Sequence, residues 1–205
     1  MTTREPVPPA LKRFIWDIQS VVELADSERE VLLVGGDLMA RLIASDDWLP
    51  PVFATEAPAG PQQFQLYADG EERFSVVSTV LAGGQAVPIY HDPVWEIVGL
   101  LRGAMTRQRF ALSEDGQIRG KAKSRRLQPG TVELSSPKTG EAVQLSNALG
   151  DRVSIAIHVH GGEIGKLARR TLAPGKPAQA VVSGYANTEA CPPYDIWSIQ
   201  TYIKD

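Results

Sequence analysis

The stretch that most constrains this chain is residues 87–103, VPIYHDPVWEIVGLLRG. It opens beside Pro88, continues through β-branched and aromatic residues, and closes on Gly103, the pattern of a strand-turn-strand unit in an all-β barrel. Side chains alternate along a strand, so Tyr90, Asp92, Val94 and Glu96 share one face while His91 and Trp95 take the other. If the first face points inward, it carries a phenol and two carboxylates, and burying that much polarity demands a ligand or a metal. A slip of one residue would bring His91 inward, but it would turn Trp95 inward as well.

Around this stretch the chain divides by periodicity. Leu11, Phe14, Ile15, Ile18, Val21 and Val22 recur at helical spacing and predict an amphipathic helix over residues 8–24. Ser27 and Glu30 fit a capping box for a second helix running through Val31, Leu32, Leu38, Leu42 and Ile43, which the Gly35-Gly36 pair weakens. Residues 46–60, rich in Pro, Ala and Asp, read as a wrapping loop. From Gln62 onward, strands are expected at 64–67, 74–81, 87–90, 95–102, 106–112, 131–135, 143–146, 152–159 and 179–182. Turns are expected at Asp69-Gly70, Gly83-Gly84, Asp115-Gly116, Pro129-Gly130 and Thr139-Gly140. The expected fold class is all-β with N-terminal helices, a small antiparallel barrel or jelly roll. A helical cap and wrapping loop would span residues 1–61 and the barrel 62–205, in one structural unit.

Composition excludes several classes. A net charge of −3 over 205 residues argues against a nucleic-acid surface, which needs a clustered Lys/Arg excess. The one basic cluster, Lys121 to Arg126, reads as a solvated hairpin tip. The single Cys191 rules out an internal disulfide framework and reads as a packed or exposed thiol. No signal-like or long apolar segment is visible, so the expected location is cytoplasmic, away from membranes, as a monomer or homodimer.

A second informative stretch is residues 152–162, RVSIAIHVHGG, in which Ser154, Ala156, His158 and His160 share one face. Two imidazoles on one face, beside a carboxylate-bearing strand, point toward a metal or proton-transfer site.

Together with RFIWDIQSVVE, DDWLP, ERFSVVS, LQPGTVE and VSGYAN, these stretches make most of the chain resemble the bacterial thiol dioxygenases, the cysteine and 3-mercaptopropionate dioxygenases of the cupin superfamily. The resemblance implies a double-stranded β-helix barrel behind a helical pair, holding one non-heme Fe(II) on three His. It implies His158, in IHV, as the third ligand. The family's His-x-His falls on Tyr90 and Asp92, so both of those ligands are replaced. The general cupin motif adds a Glu four residues after the second His and seven before a Gly, and Glu96 stands four after Asp92 and seven before Gly103. The implied metal site is therefore Asp92, Glu96 and His158, with Tyr90 or His160 as a further ligand or as catalytic acid or base. Fe(II) is the expected metal, with Mn(II), Ni(II) or Zn(II) as alternatives.

Gln63 falls where the mercaptopropionate enzymes carry a Gln near the substrate, and Arg169 or Arg170 follows the strand where the family places a carboxylate-binding Arg. Tyr185, in VSGYAN, matches a structural motif, and the family's Ser-His-Tyr relay has no counterpart because no His follows His160. The expected function is a divergent metal-dependent oxygenase acting on a small carboxylate-bearing molecule and O2. The alternatives are non-oxygenase chemistry on the same scaffold, such as a lyase or isomerase, or a metal-free binding module. Burying Asp92 and Glu96 without a cation would cost several kcal/mol, which disfavours the last. Their two charges beside the metal also predict weak turnover of thiolates.

Overall fold

The structure, a computed structural model, describes residues 6–195 of the chain. Helix α1 (Pro9–Leu24) starts on a proline at its first position, where the missing N–H is not needed, and buries Leu11, Phe14, Ile15 and Ile18. Helix α2 (Glu28–Leu42) starts at the expected cap: Ser27 accepts a bond from the Glu30 N–H, and the Glu30 carboxylate accepts one from the Asp26 N–H. α2 runs unbroken through Gly35 and Gly36, where the sequence suggests weakness. A Cβ on Gly35 would stand 2.5 Å from Ile97 Cδ1, and one on Gly99 would stand 2.7 Å from Met39 Cγ. The helix therefore accepts a propensity cost of about 1 kcal/mol per glycine in exchange for close seating on the strand beneath it.

Eleven strands follow: β1 (Gln62–Ala68), β2 (Ser75–Leu81), β3 (Ile89–His91), β4 (Glu96–Arg102), β5 (Met105–Leu112), β6 (Ile118–Leu127), β7 (Val132–Ser135), β8 (Glu141–Asn147), β9 (Ser154–His160), β10 (Arg169–Leu172) and β11 (Gln179–Val181). They form two sheets, β1-β2-β9-β4-β7 and β11-β10-β3-β8-β5-β6, with antiparallel neighbours in both. Leu81, Val98, Leu100, Met105, Leu145 and Ala156 fill the space between the sheets. Ile97, Ile155, Ile157 and Val159 point the other way, into a second core shared with α1 and α2. This is the all-β, antiparallel jelly roll, with two helices on one sheet, that the strand pattern predicts.

The structure corrects the expected strand list in two places. Residues 121–126 lie within β6 rather than at a hairpin tip. β6 is the edge of its sheet, where charged side chains are ordinary because they discourage pairing with other chains. β10 is also an addition, four residues long with two consecutive arginines and no apolar alternation. The 87–103 stretch splits as a strand-turn-strand unit, but its halves join different sheets: β3 belongs to the second and β4 to the first. Residues 92–95 carry the chain across the gap between them. No described helix is long and apolar enough to cross a membrane.

Candidate functional site

Within the first sheet, β4 and β9 run antiparallel, with Glu96 opposite His160 and Val98 opposite His158. Alternation turns Glu96, His158 and His160 to the interior, where each is at most 2% exposed. One ligand atom from each lies within 4.8 Å of the others. The two imidazoles stack with ring centroids 5.5 Å apart. Glu96 Oε1 lies 2.9 Å from His158 Nδ1. An ionised carboxylate can only accept, so Nδ1 donates in this contact, and the ring's other nitrogen is Nε2. That Nε2, and both ring nitrogens of His160, have no hydrogen-bond partner among the described residues.

The second sheet faces this trio with cations and a phenol. Arg107, on β5 and 1% exposed, donates from Nη2 to Glu96 Oε2 at 2.8 Å and to Ser135 Oγ at 2.5 Å. Arg169, on β10, grips both oxygens of Asp92 from Nε and Nη2 at 2.5 and 3.0 Å. Its guanidinium lies 4.1 Å from the centre of the Tyr90 ring. The Tyr90 hydroxyl in turn donates to Glu96 Oε1 at 3.3 Å.

These pairings set the charges. Burial pushes the Glu96 carboxyl up, but the Arg107 charge and the His158 bond outweigh it and hold the group well below the usual carboxylate range. For Asp92 burial wins over Arg169, and its carboxyl rises above the usual value. Burial also keeps His160 neutral, well below the ordinary imidazole range, and raises Tyr90 with the help of the Glu96 charge. The expectation that two buried carboxylates need a metal to balance them is therefore revised: Arg107 and Arg169 already stand beside them. Arg107 was readable in principle, since Met105 points inward and period-2 alternation carries Arg107 with it.

Beside the trio opens a cavity of about 400 Å³. Gln63, Tyr90, His158 and Arg169 line it, as does Thr79, whose buried hydroxyl has no partner among the described residues. Val87, Pro88, Leu145, Val181 and Ala186 supply apolar walls. Of the trio, only His158 lines the cavity. Asp92 lies outside the trio, with its Oδ2 3.7 Å from His160 Nδ1, because residues 92–95 leave the strand to cross between sheets. Arg170 alternates to the exposed face of β10, away from the cavity. His91 turns away too, and its Nδ1 lies 2.8 Å from the Glu141 carbonyl. Tyr185, read from sequence as structural, lines the cavity while its hydroxyl donates to Glu163 and accepts from the Gly165 N–H at 2.9 Å.

No protein-family profile matches the chain. Among solved structures it is similar to an oxalate oxidase in complex with the substrate analogue glycolate, at 18% identity and a TM-score of 0.43, over 53% of this chain and 55% of that one. It is also similar to TT1209 from Thermus thermophilus, at 16% identity and a TM-score of 0.43, over 55% of this chain and 92% of that one. A third is the Schizosaccharomyces pombe Cnp3 cupin domain, at 12% identity and a TM-score of 0.40, over 50% and 65%. The chain thus matches just over half the length of the oxalate oxidase. Likeness at this level says nothing about chemistry.

The trio's own donor set does. One carboxylate and two imidazoles, with three ring nitrogens lacking partners among the described residues in a buried space, suit a divalent cation. Without a cation those nitrogens are buried polar atoms left unsatisfied, which costs roughly 1–3 kcal/mol each.

Proposed function

We propose that this chain is a metal-dependent cupin enzyme of the oxygenase type, acting on a small carboxylate-bearing molecule and O2, with Glu96, His158 and His160 holding one Fe(II). The observation that carries the reading is the set of partnerless ring nitrogens on His158 and His160 beside an ionised Glu96. Two imidazoles and one carboxylate are the ligand set of non-heme Fe(II) oxygenases. A metal bound there supplies Lewis acidity and O2 chemistry at its open positions. Arg107 keeps Glu96 ionised and occupies Oε2, which leaves Oε1 directed at His158. Arg169 has no partner for Nη1 among the described residues, and it lines the cavity, where it offers a substrate carboxylate a charge-assisted bond. Asp92 and the Tyr90 ring hold that guanidinium in place, and Gln63 and Thr79 add neutral hydrogen-bonding groups beside it. With Arg107 and Arg169 offsetting the two carboxylates, the electrostatic argument against thiolate substrates loses its basis.

A second reading rests on a different observation: only His158 of the trio reaches the cavity, its Nδ1 bonded to Glu96 and its Nε2 free. A carboxylate-oriented imidazole is a general base, and supports metal-free lyase or isomerase chemistry. Elemental analysis of protein purified without an affinity tag and supplied anaerobically with Fe(II) decides between them. About one equivalent of iron is expected, lost in His158→Ala and in His160→Ala while circular dichroism stays native. A wild-type protein that takes up no metal would sink the first reading and leave the second.

A further inference from the structure

The cavity's lining bears on what kind of acid it takes. Its volume of about 400 Å³ falls within the range of roughly 300–1,000 Å³ typical of small-molecule sites, and a three-carbon acid would leave most of it empty. Polar and apolar groups both line it. Thr79, Tyr90, His158 and Arg169 are buried, and so are Val87 and Leu145, whereas Pro88 and Val181 are exposed. Its apolar walls are Val87, Pro88, Leu145, Val181 and Ala186, and its other polar groups, such as Gln62, Thr171 and Ser183, are uncharged. Among the described lining residues Arg169 is the sole permanently charged side chain, with no carboxylate to meet an ammonium group and no second cation to meet a second carboxylate. An amino acid or a dicarboxylate would therefore bury an unpaired charge on entering.

We infer that the substrate class is a monocarboxylate with no ammonium group and with an uncharged apolar body of several carbons, its head on Arg169 and its body against Val87, Leu145 and Val181. This rests on the proposed role of Arg169 as carboxylate anchor, but not on the metal. Apolar burial fixes the expected trend: each methylene added within the cavity strengthens binding about two- to fourfold.

Calorimetric titration of the full, chelator-treated chain with propionate, butyrate, hexanoate, hexanamide, adipate and 6-aminohexanoate tests it. Affinity should rise by that factor per methylene from propionate to hexanoate. Hexanamide, adipate and 6-aminohexanoate should each bind at least tenfold more weakly than hexanoate. Val181 is 40% exposed on an edge strand, so Val181→Gln should fold normally, weaken hexanoate severalfold and leave propionate unchanged. Equal affinity along the series, no measurable binding of any acid, adipate or 6-aminohexanoate as tight as hexanoate, or hexanoate binding indifferent to Val181→Gln would each overturn the inference. Iron uptake measured on the same protein after anaerobic resupply of Fe(II) separates the two failures. Chain-length dependence without iron uptake removes only the metal reading, and iron uptake with a flat series removes only this one.

Discussion

The two sheets of the barrel are built to different rules. The first is covered on both faces, by α1 and α2 outside and by the barrel interior within, and every residue of β2 and β9 is buried. The second includes β11, exposed at all three positions, and β6, which carries the chain's densest run of basic residues. A strand buried on both faces becomes a nearly continuous apolar run, so a polar residue within it is conspicuous. In the first sheet such exceptions include Glu96, His158 and His160, and they converge on one point. In the second sheet polar residues are the rule, and the two that matter most, Arg107 and Arg169, look like their less buried polar neighbours in sequence. Charge divides the same way. The first sheet brings a carboxylate and two imidazoles to the interior, and the second brings two guanidinium groups and a phenol.

The ion pair of Arg107 and Glu96 ties the sheets together, and breaking it should have the largest effect. Arg107→Met leaves Glu96 buried without its cation, and is expected to cost about 3–5 kcal/mol in urea denaturation. Adding Glu96→Gln should recover most of that loss; a cost under about 1 kcal/mol for Arg107→Met would mean the sheets do not depend on the pair.

A smaller effect is expected within the first sheet, at the β1–β2 turn, where Asp69 accepts bonds from the Arg73 side chain and from the Glu71 and Arg73 N–H groups. Asp69→Asn should cost about 1–3 kcal/mol at neutral pH. The Arg73 bond outweighs burial and holds the Asp69 carboxyl below its ordinary value of 3.8, so its contribution is present above that pH and fades as pH falls through the lower, folded-state value. The difference between wild type and Asp69→Asn should therefore shrink in acid; a constant gap down to pH ~2 would show that the carboxylate's charge contributes nothing. The smallest effect belongs to the second sheet's edge. Arg126→Ala on β6 should stay within about 0.5 kcal/mol of wild type in the same measurement, and a larger loss would show this edge to be structurally committed.

What could be read from sequence follows from this contrast. The helices were legible because Leu11, Phe14, Ile15 and Ile18 keep helical spacing and Ser27 announces a cap. β2, β4 and β9 were legible because both of their faces are apolar. β6 and β10 were not, since an exposed edge needs no apolar alternation and a four-residue strand has no room to show one. At the site, period 2 placed Glu96, His158 and His160 on inward faces; Asp92, also buried and beside His160, stays outside the trio where the chain leaves one sheet for the other. The partners of the carboxylates were hidden for another reason. Nothing local to Glu96 names Arg107, and nothing local to Asp92 names Arg169, because only the assembled barrel makes those neighbours.

The long spans between other paired groups of the interior have a thermodynamic consequence. Glu96 and His158 are 62 residues apart, and Asp92 and Arg169 are 77 apart, so no short contiguous fragment contains both halves of either pair. Whatever occupies the interior can do so only once the sheets have closed. Its binding energy then enters the folding equilibrium by mass action: an occupant with no affinity for the open chain, present at a hundred times its Kd, adds about 2.7 kcal/mol to stability. The melting temperature of this protein is thereby a reporter of occupancy, able to rank ligands before any turnover is known.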